Sequence, residues 1–580
     1  MRIISRLLSC SLASLVLASV PFTLGAQGGA GAVGSQRGVV VSSSSIASDV
    51  GAAMLAKGGN AIDAAVATAF ALAVTHPSAG NIGGGGFMIV RLASGRATTF
   101  DFREKAPLAA TPTMFQNADG SIAYARTDSG WRAPGVPGTV RGMALAHRNF
   151  GKLPWRTVVL PAAELAARGF VLSPALAEEL NFALRQFMFA FPSSVAAYGH
   201  PGGGTWSGGD TLRLPDLARS LRAIAVDGPN AFYSGWIADS IATQMRAHGG
   251  LITKRDLALY RAVERAPVRG TFLGHHIIAM GPPSSGGAVL VQTLNQLERF
   301  DIGHMARTSP QFLHLRLEAA RRAYLDRARW LGDADFVKVP LTRLLSKGYA
   351  LQLAHGIDTA RATSSVALGG ALVTQRDETH ETTHLSVVDG EGNAVSQTYT
   401  LEGGYGSGVV VSGTGFILNN EMGDFNKKAG YTSTRGDIGT PANLIAPGKR
   451  MLSSMTPVII SKAGQLLLVT GSPGGRTIPN TVIDVVLGVT AFGQSVRDAV
   501  DAPRMHHQWL PDVAQYEAGA MSEETAKVLT AMGHRLESQP AGSQGDAHSI
   551  WYHAATRTAY GANDRRSPDS GASVPAHAPR

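Results

Sequence analysis

The pattern of hydrophobic and polar positions divides the chain into a helix-rich first part and a strand-rich second part. The run "GVVVSSSS" is typical of a buried strand, and "SSSIASDVGAAMLAKGGN" after it predicts a helix that stops at Gly58 and Gly59. The next run, "AIDAAVATAFALAVTHP", is almost wholly apolar but too short to cross a membrane, which predicts a buried core helix. Further helical patterns lie between residues 140 and 355.

Strand patterns and glycine turns dominate after residue 382, in "THLSVVDGEGNAVSQTYTL", "GVVVSGTGFILNN" and "QLLLVTGSPGG". The stretch from 356 to 381 has no periodicity and predicts a flexible connector. The tail from Ser567 is rich in Ser, Pro and Ala, and we expect it to be loose. Helices followed by strands, without an internal repeat, predict an α+β fold built in layers.

The first strand pair after the connector is predicted to form a β-hairpin. If residues 389–393 form its loop, Thr382 falls opposite Thr400, whereas a loop one residue shorter would place it opposite Tyr399. In the first register one strand face carries six polar side chains, those of Thr382, His384, Ser386, Ser396, Thr398 and Thr400. Such a face is either solvated surface, which is the commoner case, or a functional site. The pattern alone leaves both interpretations open.

Thr382 raises the question of a nucleophile, because a threonine hydroxyl needs a base to become reactive. An N-terminal threonine uses its own α-amine, whose pKa of about 8 suits neutral pH. Thr382 has no such amine unless the chain is cut after Glu381, and the connector ends there. On the residues alone, ordinary strand filler remains the commoner interpretation.

The N-terminus resembles an export signal. Arg2 and Arg6 precede an apolar run that ends in small residues, which predicts a signal peptide over residues 1–26 with cleavage near Ala26. The run is too short for a confident membrane span, and a lipobox at Cys10 is a weaker alternative. Since Cys10 is the only cysteine, the mature chain would have none, which excludes disulfides, thiol catalysis and cysteine-ligated zinc.

Charge does not indicate a nucleic-acid partner. The net charge is +10, but the Lys and Arg residues are dispersed and no aromatic-basic stripe accompanies them. An exported basic protein, periplasmic or secreted, is the simpler interpretation.

Seven motifs occur in order along the chain. They are "GGNAIDAAVATAFALAVTHPSAGNIGGGGFM", "DFREKAP", "TTHLSVVDGEGNAVSQTYT", "GFILNNEMGDF", "KRMLSSMTP", "VTGSPGG" and "PRMHHQWLPD". Together they resemble the γ-glutamyltransferase (γ-glutamyl transpeptidase) family. The resemblance covers residues 38 to 565. It implies a four-layered αββα sandwich of the N-terminal-nucleophile hydrolase type.

The resemblance further implies that one precursor matures into two interwoven chains, a large subunit of residues 27–381 and a small subunit of residues 382–580, which form a heterodimer. Thr382 would cleave the bond after Glu381. It would then attack the γ-glutamyl amide of glutathione or a similar compound, and pass the acyl group to water, an amino acid or a dipeptide. No metal or organic cofactor is implied.

Further site residues follow from the same resemblance. Thr400 would hydrogen-bond the nucleophile, and the backbone N–H groups of Gly474 and Gly475 would form the oxyanion hole. Arg103 would bind the substrate α-carboxylate through its guanidinium fork. The remaining substrate-binding positions are Ser453 and Ser454 for the carboxylate, and Asp424, Glu402 and Glu421 for the ammonium.

The three acids lead to an expectation about pH. Carboxylates so close repel one another in an empty pocket, which raises the pKa of at least one of them. We expect substrate binding to weaken below about pH 5 as these groups become protonated.

Three segments carry separate expectations. Residues 425–440 occupy the place of a lid loop, but Arg435 stands where some members have an aromatic gate, and the loop's only tyrosine is Tyr431. The glycines of residues 81–88 indicate close packing rather than ligand binding. His506, His507 and Trp509 lack metal-ligand spacing and are interpreted as structural.

Two alternatives use the same fold. One is an acylase acting on glutaryl-β-lactams or poly-γ-glutamate. The other is a cleaved but noncatalytic binding protein, which the complete set of Thr382, Thr400, the glycine pair and Arg103 disfavours.

Overall fold

Two seven-stranded sheets form the centre of the computed structural model, which describes residues 28–372 and 382–576. The predicted signal peptide and Glu381 lie outside the described residues. The strands are β1 Val33–Ser35, β2 Gly38–Ser42, β3 Gly85–Arg91, β4 Ala97–Asp101, β5 Phe170–Val171, β6 Thr211–Leu212, β7 Val263–Arg265, β8 Val268–Phe272, β9 His275–Ala279, β10 Thr383–Asp389, β11 Ala394–Thr400, β12 Val458–Lys462, β13 Gln465–Thr470, β14 Met505–His506, β15 Ala514–Glu517, β16 Leu536–Gln539, β17 Ser549–His553, β18 Thr558–Ala562 and β19 Gly571–Ser573.

Helices cover both outer faces of these sheets. They are α1 Ser45–Ala56, α2 Ala61–Thr75, α3 Ala125–Asp128, α4 Thr139–Phe150, α5 Trp155–Arg168, α6 Pro174–Gln186, α7 Pro192–Tyr198, α8 Pro215–Asp227, α9 Asn230–Tyr233, α10 Trp236–Ala247, α11 Lys254–Leu259, α12 Gly286–Leu297, α13 Pro310–Trp330, α14 Leu341–Leu344, α15 Lys347–His355, α16 Ser365–Gly369, α17 Ile478–Thr490, α18 Val496–Asp501 and α19 Glu523–Ala531.

The layers follow the order helix, sheet, sheet, helix. Sheet I has the strand order β1-β18-β17-β13-β12-β9-β8, and sheet II has the order β19-β2-β10-β11-β3-β4-β7. Apolar side chains of both sheets form one core between them, α1 and α2 pack on the outer face of sheet II, and α12 and α17 pack on sheet I. Each sheet combines strands from before and after residue 382. The predicted α+β sandwich is confirmed.

The first two helices begin and end as their sequences predict. The Ser44 hydroxyl accepts a hydrogen bond from the backbone N–H of Ala47 at the start of α1, and Gly58 beyond its end has φ of 85°. Asn60 and Asp63 form a capping box at the start of α2. Every residue of α2 is buried, which confirms the core helix and explains why its sequence is apolar all round.

The predicted hairpin register is confirmed. Val388 pairs with Ala394 and Thr383 pairs with Tyr399, so the same register continued by one residue places Thr382 opposite Thr400. The polar face is not solvated, because it lies buried against sheet I. There the Ser386 hydroxyl donates to the His548 carbonyl and the Ser396 hydroxyl to the Thr470 carbonyl, both at 2.9 Å.

Two sequence expectations are wrong. Residues 408–420 do not form strands but a glycine-rich loop with one isolated bridge between Val410 and Ile417, because Gly408, Gly413 and Gly415 all have φ of 74°. The tail from Ser567 is not loose, because β19 pairs with β2 at the edge of sheet II. Backbone hydrogen bonds recruit this short strand without requiring apolar side chains.

The first half of the predicted connector is ordered as well. The Ser365 backbone N–H donates to the Asp512 carboxylate at 2.7 Å, and the Thr363 N–H donates to buried Glu318 at 3.0 Å. Residues 373–381 lie outside the described part of the chain. None of the described helices combines the length and apolar composition needed to cross a membrane.

Candidate active site

One pocket, with about 290 Å³ of empty space, brings most of the predicted site residues together. It is lined by Arg103, Thr382, Thr400, Glu402, Glu421, Asp424, Ser453, Ser454, Met455, Gly475, Arg476 and Ile478. Gly474 lies in the wall of a second groove, and this groove also contains Thr382. The predicted residues are separated by up to 372 positions in sequence, between Arg103 and Gly475, so tertiary packing alone assembles them.

Thr382 and Thr400 line the same pocket, where β10 begins and β11 ends in the middle of sheet II. Thr382 directly precedes β10, and Thr400 is the last residue of β11. The Thr400 hydroxyl accepts a hydrogen bond from the Glu402 N–H at 2.8 Å, and its carbonyl accepts one from the Asn81 side chain at 2.9 Å. These contacts hold the end of β11 rigidly beside Thr382.

The glycines of residues 81–88 make this arrangement possible by close packing, as predicted. A β-carbon on Gly84 would lie 2.0 Å from the Thr400 carbonyl oxygen, so only glycine fits there. The Asn81 side chain also accepts from the Gly84 N–H at 2.9 Å. Sequence reasoning missed Asn81 as a support of the site, although it stands two residues before the first glycine of the run, Gly83.

Arg103 is the buried cation of the pocket. It follows β4 by two residues, and its backbone carbonyl accepts a hydrogen bond from Tyr260 at 2.8 Å. Its guanidinium pairs with Glu421 at 2.6 Å and with Asp424, and lies 3.5 Å from Glu104. Burial disfavours the charge, but these carboxylates outweigh it and hold the pKa of Arg103 above its ordinary value.

The acids around Arg103 have perturbed ionisation. Burial, reinforced by repulsion from Glu104, Asp424 and Glu402, raises the pKa of Glu421 well above its ordinary value despite the nearby guanidinium. Burial likewise raises the pKa of Glu104 to about 8, although Arg103 opposes the shift. A raised carboxylate pKa is therefore confirmed, with desolvation rather than repulsion as its largest cause. Sequence reasoning missed Glu104 as a member of this cluster.

Ser453 and Ser454 lie on a loop that both halves of the chain hold in place. The Ser453 carbonyl accepts from the Ser285 hydroxyl at 2.6 Å, and the Ser453 hydroxyl accepts from the Met455 N–H at 3.1 Å. The Ser454 hydroxyl accepts from the Arg327 guanidinium at 3.0 Å. Ser453 and Ser454 thus form a polar wall of the pocket that Arg103 also lines, and Arg327 holds the Ser454 hydroxyl in place.

Gly474 and Gly475 form a turn that leads directly into α17. Gly474 has φ of 122° and Gly475 has φ of 55°, both in regions that favour glycine. A β-carbon on Gly474 would lie 2.6 Å from the Thr477 hydroxyl. Backbone N–H groups at the start of a helical segment point outward with a positive dipole, which suits them to hold a negative oxygen.

Thr382 and Arg476 line both the pocket and the second groove. The groove is wider and polar, and its other walls include Glu179, His506 and Asp546. The Arg476 guanidinium donates to the Gly436 carbonyl in the predicted lid loop at 2.6 Å. Sequence reasoning missed Arg476, although a cation directly after the glycine pair could have indicated it.

The lid loop is folded beside the pocket. Its Gly430 N–H donates to the Gly439 carbonyl at 2.8 Å, and Tyr431 lines a neighbouring pocket together with Asp424 and Arg476. Among the described residues, those that line the pocket of Thr382 include Arg476 but neither Tyr431 nor Arg435.

The histidines near the groove are held by the protein itself. Asn480 donates to His506 Nδ1 at 2.8 Å, and burial lowers the pKa of His506 to about 4. The Trp509 backbone N–H donates to His507 Nδ1 at 3.1 Å, and its indole N–H donates to the Ser365 carbonyl at 2.8 Å. Within residues 28–372 and 382–576, no cluster of three His, Cys, Asp or Glu side chains is arranged to hold a metal ion.

Comparisons with solved structures define the class of protein. The chain superposes on cephalosporin acylase from Bacillus halodurans with a TM-score of 0.82 and 26% identity, covering 97% of this chain and 99% of the other. It matches Helicobacter pylori gamma-glutamyltranspeptidase at 42% identity with a TM-score of 0.54, covering 55% of this chain and 91% of the other. With a central strand that begins beside a pocket threonine, the sandwich is that of an N-terminal-nucleophile hydrolase.

Sequence comparisons identify the family. The Gamma-glutamyltranspeptidase family model matches residues 47–574. The glutathione hydrolase proenzyme of Escherichia coli (strain K12) is 45% identical over 93% of this chain and 92% of its own, and that of Pseudomonas aeruginosa is 41% identical over 94% and 95%. The Acylase ACY 1 proenzyme of Pseudomonas sp. (strain SE83) is 38% identical over 87% and 88%. The chain belongs to the gamma-glutamyltranspeptidase family and is an enzyme of that family.

Proposed function

We propose that this enzyme cleaves the γ-glutamyl amide bond of glutathione and related compounds, with Thr382 as the nucleophile. The observation that carries the proposal is the pocket in which Thr382 lies with two arginines, three acids and two serines. A γ-glutamyl group ends in a carboxylate and an ammonium on one carbon, and this pocket offers partners of both charges.

Maturation comes first in this scheme. The Thr382 hydroxyl attacks the Glu381 carbonyl carbon, the peptide C–N bond breaks, and the nitrogen takes the proton to become the α-amine of Thr382. Water then hydrolyses the resulting ester. The products are a large chain of residues 27–381 and a small chain of residues 382–580. Both sheets mix strands from the two chains, which supports a heterodimer that stays together.

In turnover the new α-amine takes the proton of the Thr382 hydroxyl as the oxygen attacks the γ-carbonyl carbon. The N–H groups of Gly474 and Gly475 stabilise the oxyanion, a contribution of about 3 kcal/mol for one donor. The leaving amine takes the proton, and a γ-glutamyl ester on Thr382 remains. Thr400, opposite Thr382 in the hairpin register, orients the hydroxyl.

Arg103 binds the substrate α-carboxylate, with the Ser453 and Ser454 hydroxyls beside it. Glu402, Glu421 and Asp424 bind the ammonium. This assignment disfavours the acylase alternative, because a glutaryl group has no ammonium and would leave the acids without a cationic partner. A noncatalytic binder has no need of a glycine oxyanion turn beside a threonine.

The second groove supplies a place for the leaving group and for the acceptor. It contains Thr382 and Gly474, so a peptide amine within it reaches the acyl group directly. Arg476 lies at the boundary of both spaces and can pair with the carboxylate of an amino acid or dipeptide. Water entering the same groove gives hydrolysis.

A denaturing gel and a γ-glutamyl-anilide assay, run on wild type, Thr382→Ala and Thr382→Ser, test the proposal. Wild type should show two chains and release anilide, Thr382→Ala should remain one inactive chain, and Thr382→Ser should cleave and retain partial activity. A single uncut wild-type chain with full activity would contradict the mechanism. Two chains that release only glutaryl groups favour the acylase, and cleavage without any turnover favours the binder.

Export completes the proposal, with the first 26 residues acting as a signal peptide. Expression of the full precursor in a bacterial host should place both chains in the periplasm or medium, with a large chain that begins near residue 27. Retention of the first 26 residues on a cytoplasmic chain contradicts it, and N-terminal sequencing distinguishes the outcomes.

A further inference from the structure

A buried chain of hydrogen bonds begins next to the nucleophile. The Thr383 hydroxyl lies 2.9 Å from the Ser43 hydroxyl, which lies 2.9 Å from His548 Nε2. The same nitrogen lies 3.1 Å from Asp546 Oδ2, and the Ser567 hydroxyl donates to that oxygen at 2.8 Å. These hydrogen bonds therefore connect the residue after Thr382 to the C-terminal segment of the protein.

The residues of this hydrogen-bond network come from separate segments of the protein and are buried. Ser43 follows β2, Thr383 opens β10 and His548 precedes β17. Ser43, Thr383 and His548 are at most 2% exposed, and Asp546 is 8% exposed. Burying polar groups is costly unless they are paired, so a network that holds four of them defines one arrangement of these segments.

The carboxylate of Asp546 determines the direction of donation in these hydrogen bonds. A carboxylate only accepts hydrogen bonds, so His548 Nε2 carries the hydrogen and donates it toward Asp546 and Ser43. The Ser43 hydroxyl is then free to donate its own hydrogen to the Thr383 hydroxyl. The charge of Asp546 thereby orients each donor in turn, up to the first residue of β10.

Cleavage makes such an anchor necessary. Once the bond before Thr382 is cut, β10 begins at a free chain end, and chain ends fray unless they are tied down. The side chain of Thr383 is the nearest point at which the protein can hold the nucleophile without touching it. A misplacement of about 1 Å can cost about 100-fold in rate.

We propose that Ser43, His548 and Asp546 are positioning residues, which act through Thr383 to hold Thr382 in its reactive place. This inference rests on the proposed function of Thr382. Ser43 and His548 line neither of the two spaces that contain Thr382, whereas Asp546 also lies in the wall of the second groove. The contribution of Ser43 and His548 belongs to kcat and to the rate of self-cleavage, because both use the Thr382 hydroxyl, and not to KM.

The test compares Thr383→Val, Ser43→Ala and Asp546→Asn with the conservative variant Thr383→Ser. Thr470→Val is the matched control, since it removes another buried hydroxyl, paired with Ser549 at 2.8 Å in sheet I. For each variant we measure the self-cleavage rate, the melting temperature, and kcat and KM per titrated active site. The first three should lose about 10- to 100-fold in kcat. KM should stay within about twofold in Thr383→Val and Ser43→Ala, because Thr383 and Ser43 line neither the pocket nor the groove. Thr383→Ser should retain most of the activity.

A variant that cleaves itself too slowly for kcat to be measured still supports the inference, provided that it melts like wild type and its self-cleavage rate is about 10- to 100-fold lower. Wild-type kcat and cleavage in Thr383→Val and Ser43→Ala overturn it. An equal kcat loss in Thr470→Val also overturns it, because any buried hydroxyl would then have the same effect, and so does failure of Thr383→Ser to restore activity. If Thr382→Ala is itself active, the nucleophile assignment fails, which is a separate result.

Discussion

The Glu421 carboxylate lies 2.6 Å from the Arg103 guanidinium, and both side chains are almost completely buried. Asp424 contacts the same guanidinium and Glu104 lies 3.5 Å from it, so one cation faces three carboxylates. A γ-glutamyl ligand adds one carboxylate and one ammonium, which lets the arginine and the acids exchange partners without leaving a charge unpaired. The ionisation of the acids before binding therefore controls affinity.

Affinity for L-glutamate, a competitive ligand with both charges, should fall as pH decreases through the raised pKa of Glu421. Burial and repulsion raise that pKa in the empty pocket, whereas the ligand ammonium favours the ionised acid, so binding releases a proton. Each pH unit below the raised pKa then weakens binding up to about tenfold. Inhibition constants measured from pH 8 to pH 4 check this, with the loss beginning above about pH 5 because the pKa lies above its ordinary value.

Two controls separate this effect from other titrations. Glu421→Gln should bind glutamate more weakly at pH 8 and show a flatter pH dependence. Glutarate, which lacks the ammonium, should bind wild type more tightly as pH falls, because protonation removes repulsion. A glutamate inhibition constant that is unchanged from pH 8 to pH 4 rules the assignment out.

Arg103→Lys should lower kcat/KM for a γ-glutamyl anilide by about 10- to 100-fold, mainly through KM. Lysine keeps the charge that the neighbouring acids require but loses the fork that binds a carboxylate, and charged hydrogen bonds contribute about 1.5 to 3 kcal/mol. A 4-aminobutanoyl anilide, which lacks the α-carboxylate, should be affected far less. Arg269→Lys, at an exposed position, serves as the control. If Arg103→Lys lost the same activity on both substrates, Arg103 would not be the residue that binds the substrate α-carboxylate.

Gly474→Ala should lower kcat about 100-fold or more, with little change in KM. Its φ of 122° strains alanine, and the β-carbon would displace Thr477 and turn the proposed oxyanion donors. Gly464→Ala is the control, because Gly464 also has a positive φ, 78°, but open space around it and a position in the β12–β13 turn. If the two variants lose the same activity per titrated site, the oxyanion assignment is wrong.

Glu318→Gln should destabilise the enzyme at pH 7 by about 3 kcal/mol and remove part of its acid sensitivity. Burial opposes the Glu318 charge, but Arg321, Thr363 and Arg322 outweigh it and lower the pKa to about 2. A lowered pKa stabilises the fold above the unfolded value of about 4.3, and this stability is lost as pH falls toward 2. Urea midpoints at pH 7, 4 and 2 check the prediction.

The control for this substitution is Glu298→Gln, which removes the partly exposed ion pair with Lys347 and should cost less than about 1 kcal/mol. Equal destabilisation of Glu318→Gln at pH 7 and pH 2 would mean that the ionised carboxylate is not responsible.

The early part of the fold and the nucleophile hairpin were predictable because their signals are local. The Ser44 cap, the apolar run of α2 and the five-residue loop of the hairpin each act within about ten residues, and turn length sets strand register. The resemblance to a family then named residues that no local pattern could connect, such as Arg103 and Asp424.

The wrong structural predictions concern segments whose local sequence does not specify their conformation. The apolar run from 408 to 420 has strand composition, but three glycines with positive φ turn it into a loop. The tail after Ser567 has loop composition, yet the open edge of β2 recruits three of its residues.

The sequence by itself determined most of the helices and strands and limited the hairpin to two registers, and the family resemblance in that sequence selected Thr382 as the candidate nucleophile. Only the tertiary structure decided that the polar hairpin face is buried, that Asn81, Glu104 and Arg476 belong to the site, and that Ser43, His548 and Asp546 meet behind it. The physical reason is that hydrophobic period and turn geometry act between near neighbours, whereas desolvation and polar pairing depend on residues hundreds of positions apart.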